Sequence, residues 1–179
     1  GHCPMNLRVS YSDCQPPEPV LADLARLETL WAWARAVTGA QTPWLCGAYS
    51  AADAFFAPVA ARIATYNLPV GPEAMAYVQA HLAHPSFRRW RAMGMVDGAD
   101  QPFYRRDYPR RAWPGPPPLA AGAVDGTECE NAACPYSGRP VSHVLEVQGR
   151  RFGFCNAFCR DKTVADPEAW PAFMALLDR

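Results

Sequence analysis

The chain has 179 residues, enough for one domain of ordinary size or two small ones, and half of them are apolar or aromatic, which excludes a mainly disordered protein. Acidic and basic residues balance at 17 each, so no global field draws the chain onto nucleic acid or an anionic membrane, and any such binding would have to be local. No apolar run approaches the roughly 20 residues that span a bilayer, and the N-terminus lacks the apolar core of a signal peptide, so the chain reads as soluble and cytoplasmic.

Apolar residues recur at helical intervals from Val20 to Val37, with Leu21, Leu24, Leu27, Trp31, Ala34 and Val37 on one stripe. The Pro-rich Gln15 to Pro19 segment marks the start of this helix and Gly39 its end. A second helix is predicted from Ser50, because Ser50 and Asp53 stand in capping-box spacing, and Pro58 within it predicts a kink. Gly71-Pro72 opens a third helix through Leu82, and His84-Pro85-Ser86 separates it from a short fourth carrying Phe87, Trp90 and Met93. The first half is predicted to be all-α. Cys46, just before the capping box, is expected near or within the helical core as a small hydrophobe.

These residues carry a resemblance. The run from Pro43 through Ser50-Ala51-Ala52-Asp53 to Val59, with Arg62, Thr65-Tyr66 and His84-Pro85-Ser86-Phe87-Arg88-Arg89-Trp90, resembles the C-terminal helical domain of bacterial glutathione S-transferases over roughly the first ninety-five residues. The resemblance implies a helical bundle whose central helix opens with this box, making Ser50 and Asp53 folding residues. Cys3 to Arg8 is similar to the end of that domain's first helix, which makes Met5, Asn6 and Arg8 the candidates for a hydrophobic-substrate wall. In the family, glutathione is bound mainly by an N-terminal thioredoxin-like domain that also carries the thiol-activating residue. That domain is expected to be absent here, so glutathione is implied only if it is supplied, and the partner is then the missing domain or a second copy of the chain.

From Gly94 to Gly126 the composition turns to Pro, Gly, Arg and aromatic residues, which predicts a linker or strap over 96–126 with extended geometry. Arg105, Arg106, Arg110 and Arg111 interleave with Tyr104, Tyr108 and Trp113, a pattern able to hold single-stranded nucleic acid. Asp97, Asp100 and Asp107 dilute the charge, so a tether to the neighbouring domain is the expected role and nucleic acid is not the expected partner.

The last third carries Cys129, Cys134, Cys155 and Cys159 in the spacing C-x4-C-x20-C-x3-C, while Cys3, Cys14 and Cys46 are scattered without a pairing pattern. Two close thiol pairs point to a metal cage in a reducing compartment. A β-hairpin is predicted between them, Val141 to Val147 returning through Gln148-Gly149 as Arg150 to Phe154. Asp166-Pro167-Glu168 predicts the start of a helix whose apolar face is Trp170, Phe173, Met174 and Leu177. The expected architecture is a treble-clef-like α+β module over 127–179, following a helical domain over 1–95, in a chain that is mainly α.

Here too there is a resemblance, to the TRASH and YHS-like metal-binding modules, whose skeleton is matched by Cys134, Cys155 and Cys159 and whose C-terminal half is similar to Phe154 to Lys162 with Ala165 to Glu168. Cys129 adds a fourth thiolate. Four thiolates fill a tetrahedral zinc shell and leave no position for water or substrate, so a structural Zn2+ is the expected cofactor, contributing about 10–16 kcal/mol to folding in small peptides. Copper(I) also suits soft sulfur, an iron–sulfur cluster is a further alternative, and His143 is left out of the ligand set. There is no Gly-x-Ser-x-Gly elbow, P-loop or dinucleotide-binding glycine run. Two functional classes result: a zinc-binding interaction or scaffold protein with no catalysis of its own, with a metal-sensing or carrying protein as its variant, or the C-terminal portion of a glutathione-dependent transferase or isomerase.

Overall fold

The computed structural model describes residues 2–179. Its elements run β1 (Ser10–Tyr11), α1 (Glu18–Thr38), α2 (Ala51–Tyr66), α3 (Pro72–Ala83), α4 (Pro85–Val96), β2 (Arg110–Arg111), β3 (Ala121–Val124), β4 (His143–Val147), β5 (Arg150–Phe154), α5 (Ala157–Ala165) and α6 (Pro171–Leu177), with single 3-10 turns at Pro102–Tyr104 and Pro167–Ala169. The protein is thus mostly helical with small antiparallel sheets. Among the described residues no helix is long and apolar enough to cross a membrane.

The chain divides into two compact units, Gly1–Phe87 with Asp100–Pro116, and Arg88–Ala99 with Pro117–Arg179. The stretch 96–126, expected as an extended linker or strap, is shared between the two units. Extended backbone leaves its N–H and C=O groups in need of partners, and the Pro-rich stretch finds them in strands: β2 pairs antiparallel with β1, and β3 adds a third strand beside β4 and β5.

In the first unit, Pro17 and Pro19 open α1 and Gly39 closes it at φ 65°, the left-handed conformation that glycine adopts without a Cβ penalty. Only Leu24 and Trp31 of its apolar stripe are buried; Val37 is 66% exposed. Ser50 caps α2, and Asp53 reaches back to accept the Ser50 N–H at 2.8 Å while also accepting the Ser50 hydroxyl (2.8 Å), the Leu45 N–H (3.1 Å) and the Tyr77 hydroxyl (3.0 Å). Four donors satisfy a carboxylate that is completely buried. Pro58 lies inside the helix, which continues to Tyr66, and Arg62 Nη1 donates to the Pro58 carbonyl at 3.3 Å. Tyr66, Ile63, Tyr77, Val78 and Leu82 fill the core between α2 and α3. Cys46 is exposed, correcting its expected burial, because it lies in the turn before α2 where Gly47 takes φ 88°.

Residues 2–9 are irregular, not a helix end. Met5 lines an apolar groove with Leu24, Leu27, Val59 and Ile63. Asn6 accepts the Arg8 N–H at 2.9 Å and its carbonyl accepts the Thr65 hydroxyl at 2.8 Å, while Arg8 pairs with Asp100 at 2.8 Å. In the former strap, Arg111 donates to Ser10 Oγ at 3.0 Å and Tyr108 packs against Tyr11 with centroids 5.7 Å apart.

The second unit is a three-stranded antiparallel sheet, order β3-β4-β5, covered by α5 and α6. Gln148 (φ 52°) and Gly149 (φ 74°) make the two-residue turn with both central φ positive that suits a tight hairpin. Leu145, Phe152, Phe154, Trp170 and Phe173 form its core together with Ala92 of α4. Arg88 of α4 holds Asp166 with two bonds of 2.8 and 2.7 Å and Glu168 with one of 3.0 Å. Asp166 accepts from the Ala169 N–H, so it caps the 3-10 turn and not the last helix, which begins only at Pro171.

Candidate metal centre

Three segments of the second unit deliver cysteines to one point. Cys134 starts the turn Cys134-Pro135-Tyr136-Ser137-Gly138, closed by the Gly138 N–H donating to the Cys134 carbonyl at 2.9 Å, with Gly138 at φ 69°. Cys155 directly follows β5, and Cys159 occupies the third position of α5, where Asn156 as N-cap accepts its N–H at 2.8 Å. The Sγ atoms of Cys134, Cys155 and Cys159 all lie within 4.8 Å of one another. Thiolates at about 2.3 Å from a tetrahedral zinc stand about 3.8 Å apart, so the group can hold a metal ion.

The surroundings favour negative charge on the Cys134 sulfur. Burial raises the Cys134 thiol, but the backbone N–H groups of Cys155, Tyr136 and Ser137 and the Ser137 hydroxyl outweigh it and bring it down to about 7. Cys159 goes the other way, to about 11, from burial first and then from the charges of Cys134 and Cys155. Cys155 Sγ accepts the Ser137 hydroxyl at 3.2 Å.

Lys162, the only lysine in the chain, stands one turn after Cys159 on α5. Its ammonium lies 4.3 Å from the Tyr136 ring centroid, 4.2 Å from that of Trp170 and 5.4 Å from that of Phe158. Three thiolates and a divalent ion leave one negative charge, which this boxed cation is placed to offset; it already lowers the Cys159 thiol. The Tyr136 hydroxyl is in turn tied to Thr163 Oγ1 at 2.5 Å, and Thr163 donates to the Cys159 carbonyl at 2.8 Å. Neither Ser137 nor Lys162 was singled out by the spacing of the cysteines, although both lie within three residues of one.

Cys129 does not join the group. Asn131 clamps its segment to β5, donating to the Gly153 carbonyl at 2.9 Å and accepting the Gly153 N–H at 2.7 Å, and the Cys129 thiol donates to the Asn131 carbonyl at 3.3 Å. His143 is also outside it, with Nδ1 at 2.9 Å from Ser142 Oγ. Met5, Asn6 and Arg8, and the Ser50–Asp53 cap, lie in the first unit. No family, curated protein or solved structure matches the chain.

Proposed function

We propose that the protein is a zinc-binding interaction module, in which Cys134, Cys155 and Cys159 anchor the ion and Cys129 completes its shell. The convergence of the three sulfurs carries this reading. Cys129 is suited to closing the shell because its sulfur already lies against Gly153, two residues before Cys155 and on the same side of β5. A closed sulfur shell leaves no place for a reacting water, so the ion organises the fold instead of performing hydrolysis. The first unit serves as a helical scaffold of the glutathione-transferase type, its Asp53 cap being consistent with that resemblance, and glutathione chemistry belongs to a thioredoxin-like partner domain.

A second reading follows from the same geometry. If the Cys129 thiol stays with the Asn131 carbonyl, the three remaining soft sulfurs suit copper(I), which would make the module a metal carrier or sensor. Metal analysis by mass spectrometry separates the two. Zinc is expected at about one ion per chain in the protein as purified, lost in Cys134→Ser, Cys155→Ser and Cys159→Ser. Cys129→Ser is expected to retain the ion but to yield it to a chelator at least about tenfold more readily. Copper at the same stoichiometry, indifferent to Cys129→Ser, decides for the second reading; a metal-free protein defeats both.

A further inference from the structure

Between α1 and the first turn of α3, within the first unit, lies a cavity of about 310 Å³. Its floor is aromatic and fixed. Trp31 is 3% exposed and stands edge-on to Phe56 (centroids 5.5 Å apart) and to Tyr77 (4.8 Å), and Tyr77 is in turn pinned by its hydroxyl to Asp53. The space exists because the facing positions are small: Ala32 on α1 and Gly71 and Ala74 at the start of α3. A Cβ on Gly71 would stand 3.0 Å from Glu28 Oε1, which accepts the Gly71 N–H while the carboxylate keeps its charge and its second oxygen.

Three charged side chains line this cavity: Glu28, Glu73 and Arg35. Glu73 brings a carboxylate without an ion-pair partner among the described residues. Arg35 gives one N–H to the Pro43 carbonyl at 2.6 Å and retains the rest of its fork.

We propose that this cavity binds a small zwitterion with an apolar side group, the chemistry of a free hydrophobic α-amino acid. The side group lies on Trp31 and Tyr77, the ammonium is received by Glu73 with Glu28 beside it, and the carboxylate is received by Arg35. Charges of both signs at one mouth disfavour a ligand carrying only one of them, because the like charge repels what the opposite charge attracts. The volume sits at the lower end of the roughly 300–1,000 Å³ of ligand sites, room for a single amino acid and too little for a nucleotide. The pinned aromatic floor needs little ordering on binding, which favours so small a ligand.

Isothermal titration of the full chain with L-phenylalanine, L-leucine and N-acetyl-L-phenylalaninamide tests this, the last keeping the side group while lacking both charges. The two free amino acids are expected to saturate, with a dissociation constant on the order of 0.1 mM, and the capped amide to bind at least about tenfold more weakly. Glu73→Gln, at an exposed position, is expected to weaken L-phenylalanine by roughly fivefold or more with an unchanged circular dichroism spectrum. Absence of saturation at millimolar amino acid, equal binding of the capped amide, or unaltered binding by Glu73→Gln each overturns the proposal.

Discussion

His81 of α3 is completely buried, and neither ring nitrogen has a partner. It stands among Trp44, Tyr49 and Tyr77, with Asp53 and His84 the nearest titratable groups besides the tyrosines. Burial lowers its titration to about 4, the repulsion of His84 adding to this and the attraction of Asp53 opposing it. The unfolded chain takes up the same proton near pH 6.5. Between these values the unfolded state binds more protons, so stability falls as the pH falls from about 6.5 towards 4, by up to about 1.4 kcal/mol per pH unit, and is flat above. His81→Phe is expected to flatten that window without loss of stability at neutral pH, as read by urea unfolding across the range. Asp53 acts below it. Burial raises this carboxyl, yet the donors from Leu45, Ser50 and Tyr77 hold it beneath the ordinary value, so its contribution is present above about pH 4 and lost only as the pH drops through the folded value. The role of Asp53 was legible because a capping box is a local spacing. His81 was not, since nothing in the helical period separates a buried histidine from an exposed one.

Gly153, in the middle of β5, illustrates what an element imposes on a side chain. A Cβ there would meet Cys129 Sγ at 2.7 Å and Val141 Cβ at 2.8 Å, so the strand tolerates only glycine where the Cys129 segment crosses it. Gly153→Ala is expected to cost about 1–3 kcal/mol through the forced shift of Val141, and to weaken metal retention in the same variant because Cys155 lies two residues on. Chemical unfolding with and without added zinc measures both; an unchanged midpoint would show that the segment can move aside freely. The hairpin itself was legible, since Gln148-Gly149 separates two strand-like runs and the observed register pairs Val147 with Arg150. β3 was not, because Ala121-Gly122-Ala123-Val124 has weak strand propensity alone and is made a strand by the open edge of β4. The same limit applied to Cys129: spacing brings a residue near a site, while the direction of its thiol was set by Asn131 and Gly153.

At the scale of the molecule, both units own a core, but only the second owns a thiol cluster among the described residues. Composition marked 96–126 as an extended linker or strap, and β2 and β3 show that such a stretch can be claimed by neighbouring sheets. The core of Leu145, Phe152, Phe154 and Phe173 gives the second unit apolar stabilisation of its own, so metal is expected to add to its stability and not to be its whole source. An ion bound only by the folded form stabilises in proportion to the logarithm of its excess, about 4 kcal/mol at a thousandfold excess over the dissociation constant. For a unit of 60–100 residues that corresponds to a midpoint shift of about 15–30 °C. Calorimetry of the full chain is therefore expected to resolve two transitions, one lowered by about this amount on chelation and the other unmoved. Equal displacement of both, or of neither, would contradict the assignment of the ion to the second unit, because a ligand can shift only the equilibrium of the structure that binds it.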